Sequence, residues 1–180
     1  MEWLIADLMT LARLDAETVE MELMNQAMRG TLELAVEPFW ARANKEQKSL
    51  VVRCSAKIKI DHDRKWVSEA IANVIKNALE HTTEGGHINI NCIETPLSVQ
   101  IDIEDNGEGI AAVDLPHIFD RFYGKKTALH PDSIGIGLSL SRMILDKNNA
   151  KIYAENRSGS GACFHIVFLK SLKDTTADAS

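Results

Sequence analysis

Three observations predict an α/β sandwich, with a sheet on one side and helices on the other. Val99, Ile101 and Ile103 alternate with Ser98, Gln100 and Asp102, the two-residue period of a half-buried strand. Val67, Ile71, Val74 and Ala78 recur at three and four residues, the stripe of an amphipathic helix over 63–80. Strand patterns over 87–94, 97–105, 151–156 and 162–169 flank further helical stretches.

Taken in order, residues 2–28 read as one long helix, with Leu4, Leu8 and Leu11 beside Ile5, Met9 and Ala12. Gly30 breaks it, and a second helix runs over 31–46. Two short strands follow, 50–54 and 57–60, then the helix over 63–80, with Asp61 or Asp63 as its N-cap. The helix that follows Gly137 reaches Asp146 and stops at Asn148-Asn149, residues that tolerate a left-handed C-cap. The last eleven residues, 170–180, form a polar tail.

Composition narrows the function. A formal charge of −6 argues against a nucleic-acid partner, which would want a basic surface. Cys54, Cys92 and Cys163 read as small buried hydrophobes in a reducing compartment rather than a disulfide set. No Cys-x-x-Cys or His-x-x-x-His occurs, so a structural zinc site is not expected. There is no 18-residue apolar run and no signal peptide.

Four patches carry chemistry. In Asn73-Val-Ile-Lys-Asn77, continued by His81, polar residues at spacing four make one ridge on an otherwise apolar helix. Asparagine is a poor helix former, so two of them mid-helix call for a reason. One reading is a solvated face; the sharper one is a neutral oxygen ligand for Mg²⁺. In Asp105-Asn-Gly-Glu-Gly109, the glycines let the backbone approach a flat ring while Asp105 accepts a hydrogen bond from an amino group such as that of adenine. Ser133-Ile-Gly-Ile-Gly137-Leu opens a helix whose free N–H groups suit phosphate. Phe119-Asp-Arg-Phe-Tyr123 begins a long polar stretch to residue 134, and its aromatics suit hinge packing as well as nucleotide contact. Neither glycine patch has the spacing of a dinucleotide fingerprint, and no P-loop occurs.

In this order the patches resemble the asparagine, first glycine, phenylalanine and second glycine boxes of the catalytic domain of bacterial sensor histidine kinases. Gly159-Ser-Gly161-Ala-Cys-Phe164 resembles the final glycine turn of the same family. The resemblance implies a two-layer sandwich of a mixed sheet on three helices, with an ATP lid and one long N-terminal helix before it. It implies ATP contacts from Asn73, Asn77, His81, Asp105, Gly107, Gly109, Ile110, Arg121, Tyr123, Lys125, Lys126, Ser133, Gly135, Ile136, Gly137 and Leu138, with Asn77 on Mg²⁺. Three departures stand out. Glu80-His81 replaces the usual lysine–aromatic pair, Ser133-Ile134 displaces a hydroxyl by one residue, and Ala162 stands where threonine is common.

Residues 1–29 resemble the second helix of the family's dimerisation and phosphoacceptor hairpin, 30–170 the ATP-binding domain, and 171–180 a flexible tail. The helix bearing the phosphorylated histidine is expected upstream. His62-Asp-Arg-Lys-Trp66 imitates its motif but sits between a strand and a helix. The implied activity is transfer of the ATP γ-phosphoryl group to a histidine on that absent helix, and onward to a response-regulator aspartate. The implied partners are ATP or ADP, a receiver domain and the chain's own hairpin in a homodimer. The implied setting is the cytoplasmic part of a membrane-anchored parent. A nucleotide-binding module without kinase activity is the alternative reading.

Overall fold

The computed structural model describes residues 2–16, 18–123 and 135–170. Its elements are α1 (Glu2–Asp15), β1 (Met24–Ala27), α2 (Met28–Val36), α3 (Trp40–Lys45), β2 (Ser49–Arg53), β3 (Lys59–His62), α4 (Arg64–His81), β4 (His87–Glu94), β5 (Ser98–Asp105), α5 (Gly137–Lys147), β6 (Ala150–Asn156) and β7 (Ala162–Leu169). Five strands form a mixed sheet in the order β2-β4-β5-β7-β6, parallel only between β2 and β4. The parallel pair is possible because β3 and α4 supply the crossover between them.

One face of this sheet is the core. Ile88 and Ile90 of β4, Val99, Ile101 and Ile103 of β5, and Phe164, Ile166 and Phe168 of β7 are buried in one cluster with the inward residues of α2, α4 and α5. Alternation puts Ile103 and Phe164, a directly opposed pair, on that face and leaves Asp102 and His165 on the other. Truncating a residue such as Ile103 to alanine costs about 2–5 kcal/mol, a large fraction of the roughly 5–15 kcal/mol margin of a folded domain. The sandwich of a mixed sheet and three helices is the fold expected from the sequence.

Residues 1–28 differ from expectation. The helix ends at Asp15, where Thr18 bonds back to the Arg13 carbonyl through both its N–H and its hydroxyl. The chain then turns, and Met24–Ala27 pairs antiparallel with β3, Met24 opposite His62. Helical periodicity fails here because the strand's partner lies some forty residues away, and non-local pairing overrides a weak local pattern. Gly30 lies inside α2 rather than ending a helix, and the expected helix over 31–46 is interrupted by a 3₁₀ turn at Glu37–Phe39, where Pro38 removes a backbone donor. The two strands between 49 and 62 belong to different sheets, β3 lying two residues later than expected.

Asp63 joins three segments and fixes where α4 starts. Its Oδ1 accepts from the Trp66 N–H at 3.1 Å as the N-cap, and Oδ2 accepts from the Glu22 N–H at 2.9 Å. Its own N–H donates to Asn148 Oδ1 at 2.8 Å, across from the end of α5. The α5 C-terminus closes as expected, with Asn149 at φ 56°.

Candidate nucleotide site

Helices α4 and α5 meet at a polar seam. Ser141 Oγ donates to the Ala70 carbonyl at 2.9 Å, holding α5 against α4. One turn further, the Asn73 amide lies beside Gly137, the first residue of α5; a Cβ there would touch it at 3.6 Å. Among the described residues no side chain caps α5, which leaves its first amides available to a ligand at the positive end of the helix dipole.

Asn73 and Asn77 are half-buried on this side of α4. Neither side-chain amide makes a hydrogen bond to another described residue. Being half-buried, the two amides keep their hydrogen-bonding capacity open to solvent or to a polar ligand beside the start of α5. An amide oxygen is a hard neutral donor, and the pair suits a Mg²⁺ that takes its other ligands from water and phosphate.

Across the end of α4, the loop after β5 folds under Asp105, which is 2% exposed. Its Oδ1 accepts from the Gly107 N–H at 2.8 Å and from the Ala162 N–H at 3.3 Å. Both bonds fall on one oxygen, and they fix the carboxylate plane while the other remains for a ligand's donor. Gly107 packs on the end of α4 so tightly that a Cβ would stand 2.1 Å from the His81 carbonyl oxygen, and only glycine fits. His81 itself is exposed and bonds Glu108 Oε1 through Nδ1 at 3.0 Å.

Asn156 was not singled out from the sequence, yet it holds this loop. Its amide accepts from the Ile110 N–H and donates to the Ile110 carbonyl, each at 2.7 Å, a two-bond clamp from the end of β6. Gly109 lies against the same amide. A lone asparagine before a glycine turn carries no sequence signal for such a contact, because its partner is 46 residues away.

The segment after Phe119 starts firmly. Phe119 meets Phe164 edge-on at 6.3 Å, the hinge packing weighed in the sequence. Tyr123 donates its hydroxyl to Asp114 at 2.7 Å, which with burial holds the phenol above its ordinary pKa. Phe122 N–H bonds the Gly135 carbonyl at 3.0 Å, so the two ends of the intervening segment are stitched together. Gly135, at φ 71°, lies so close to the Tyr123 backbone that any Cβ would collide at 2.3 Å. Arg121 is not at the α4–α5 seam; it forms a two-pronged ion pair with Asp15 at the end of α1. Ile136 and Leu138 pack into the core beside Gly137, the first buried and the second partly so. Lys125, Lys126 and Ser133 lie outside the described residues.

His62 is buried, and both ring nitrogens are engaged. Nδ1 donates to the Ile60 carbonyl at 2.9 Å, so Nε2 accepts from the Thr31 hydroxyl at 2.6 Å. Burial pushes its pKa below the ordinary value and keeps it neutral. It is a structural residue, in keeping with its misplaced motif.

Residues 62–172 match the family model described as histidine kinase-, DNA gyrase B- and HSP90-like ATPase. The chain belongs to this family of ATP-binding domains. Within the family its relatives are sensor kinases. The adaptive-response sensory kinase SasA of Prochlorococcus marinus (strain MIT 9313) is 31% identical over 148 residues, 81% of this chain and 39% of that protein. The catalytic domain of histidine kinase ThkA superposes with a TM-score of 0.75 at 24% identity, covering 83% of this chain and 97% of that one. ThkA in complex with response regulator protein TrrA gives 0.74 at 20% identity, covering 94% and 49%. The chain spans less than half the length of the curated relatives it matches. Among the described residues, no helix is long and apolar enough to cross a membrane.

Proposed function

We propose that this chain binds ATP with Mg²⁺ and transfers the γ-phosphoryl group to a histidine on a dimerisation helix supplied from outside residues 1–180. The observation that carries the reading is that Asn73 and Asn77 have no hydrogen-bond partner among the described residues and that Asn73 lies beside the start of α5. Phosphoryl transfer asks mainly for positioning and charge neutralisation. The α5 amides would bind phosphate oxygens and Asn77 Oδ1 would hold Mg²⁺, which when bound would neutralise phosphate charge. Asp105, oriented by Gly107 and Ala162, accepts from the adenine amino group. Ile110 and Leu138 flank the base, and Gly109, Ile136 and His81 line the approach. Arg121 must leave Asp15 to reach a phosphate, and Lys125, Lys126 and Ser133 would join it.

Kinase rather than hydrolase activity is supported by what stands one turn before Asn77. An amide, Asn73, cannot deprotonate water, whereas a histidine nucleophile brings its own lone pair. ThkA is seen with a response regulator, which supports a receiver domain as the final acceptor. The parent is proposed to be a membrane-anchored homodimer, with α1, Glu2–Asp15, belonging to its phosphoacceptor hairpin rather than the whole of residues 1–29.

The test is incubation with γ-labelled ATP, with and without a separately supplied phosphoacceptor hairpin from a sensor kinase. Acid-labile, alkali-stable label on the hairpin is the expected result, with none on this chain alone. Nucleotide binding without transfer to any hairpin would favour the regulatory module. Label on this chain alone would overturn the assignment, since His62 is buried and His81 lies at the base end of the pocket.

A further inference from the structure

The outer face of the sheet holds a cluster that the nucleotide site does not use. Cys163 and His165 are two apart on β7, so both project from this face, and Asp102 of β5 stands directly opposite His165. His165 Nδ1 is 2.6 Å from Asp102 Oδ1 and 3.9 Å from Cys163 Sγ. The three potential ligand atoms lie within 4.8 Å of one another. Asp102 and Cys163 are 9% and 5% exposed on a face otherwise turned to solvent, and Tyr153 stacks on the imidazole at 4.7 Å.

We propose that Cys163 Sγ, His165 Nδ1 and Asp102 form a binding site for a divalent transition metal of the zinc class, with water as the fourth ligand. Thiolate, imidazole and carboxylate together are a zinc-type donor set, and three protein ligands leave one position open. Ligand atoms on a tetrahedral ion stand roughly 3.3–3.7 Å apart at those bond lengths. The Cys163–His165 spacing of 3.9 Å is already close to this, and Asp102 must draw back from Nδ1 and settle at a similar distance from Sγ, from which it is at most 4.8 Å.

The surroundings supply what metal ligands need behind them. Gln100 Nε2 donates to Asp102 Oδ1 at 2.7 Å and orients the carboxylate. His165 Nε2 is buried without a hydrogen-bond partner, with Glu155 Oε1 at 3.4 Å. With the ion on Nδ1 the ring proton moves to Nε2, and Glu155 becomes the carboxylate behind a metal-bound histidine. Glu104 also flanks Cys163, held partly by Arg157 at 3.5 Å. Burial, then Asp102, Glu104 and Glu155, push the Cys163 thiol up to about 12. A cation reverses that penalty: the S–metal bond forms as the S–H bond breaks, and the thiol proton passes to solvent.

The test is titration of the full chain with Co²⁺ under a non-thiol reductant, followed by displacement with Zn²⁺. Saturable binding with a thiolate-to-cobalt charge-transfer band, lost on adding Zn²⁺, is expected. Cys163→Ser should remove the band, His165→Gln should weaken binding at least tenfold, and Glu155→Gln should weaken it roughly tenfold through His165 alone. Cys54→Ser and Cys92→Ser should leave it unchanged. Nucleotide affinity serves as the fold check, because that site lies on the opposite face and stands or falls independently. A band that survives Cys163→Ser, or folded wild type that shows no saturable binding up to millimolar Co²⁺, overturns the proposal.

Discussion

Two groups of asparagines teach opposite things. Asn148 is 1% exposed, and its amide accepts from the Asp63 N–H and donates to the Ile144 carbonyl at 2.9 Å. Asn106 Oδ1 accepts from the His87 N–H at 2.8 Å, and Asn156 clamps Ile110. Those three are engaged inside the protein and hold its segments together. Asn73 and Asn77 are half-buried on a well-packed helix and have no described protein partner. The same side chain is structural where its hydrogen bonds are internal, and under the proposed function it serves a ligand where they are left open.

The sharpest break between the groups is in stability. Asn148→Ala leaves the Asp63 N–H without its acceptor and cuts one of the links between α4 and α5, the Ser141–Ala70 bond remaining. About 1–3 kcal/mol is expected for an unmade buried bond, at the upper end here because the cap residue of α4 is disturbed. Denaturant unfolding checks it, and a loss near that of Asn77→Ala, expected within about 0.5 kcal/mol of wild type, would erase the distinction.

Asp105→Asn comes next. The amide can still satisfy Gly107 and Ala162 through its oxygen, but its NH₂ then faces the adenine amino group. A loss of about 1–3 kcal/mol in the preference for ATP over nucleotides lacking that group is expected. Competition binding measures it, and an unchanged preference would remove Asp105 from the base pocket.

Asn77→Ala tests the open group directly. ATP affinity should fall about tenfold in the presence of Mg²⁺ and much less in its absence, since the loss is of a metal ligand. Calorimetry with and without Mg²⁺ decides it. Equal losses would mean that Asn77 is not a ligand.

How much of this was legible in the sequence follows the same division. Alternation marked β5 because every second residue packs on the helices, and a continuous stripe marked α4. The open asparagines were legible because a polar ridge contradicts an apolar helix and has no local excuse. The engaged ones were not legible as such: Asn148 was read only as part of a helix stop, and Asn148 and Asn156 meet partners 85 and 46 residues away. Residues 24–27 were misread for that same reason, their pairing partner lying in β3. Asp102 and His165 were legible only as the polar half of alternating strands, and the cross-strand register is what brings them together.

The smallest expected effect extends the comparison to an engaged histidine. His62 has both nitrogens in internal bonds, and burial, the leading cause, lowers its pKa against the favourable pull of Ile60. Above the unfolded value of about 6.5 the ring is neutral in both states and this group makes stability independent of pH. As pH falls through 6.5 the unfolded chain takes up a proton that the folded one refuses, so stability drops until the lower folded pKa is reached. Between pH 7 and 5.5 the drop is at most about 1.3 kcal/mol for one group. Urea unfolding at both pH values should show a smaller pH-dependent loss in His62→Gln than in wild type, the variant being less stable at pH 7 but flatter below it. An identical slope in the two proteins would mean that His62 titrates alike folded and unfolded, and that its buried bonds do not hold it neutral.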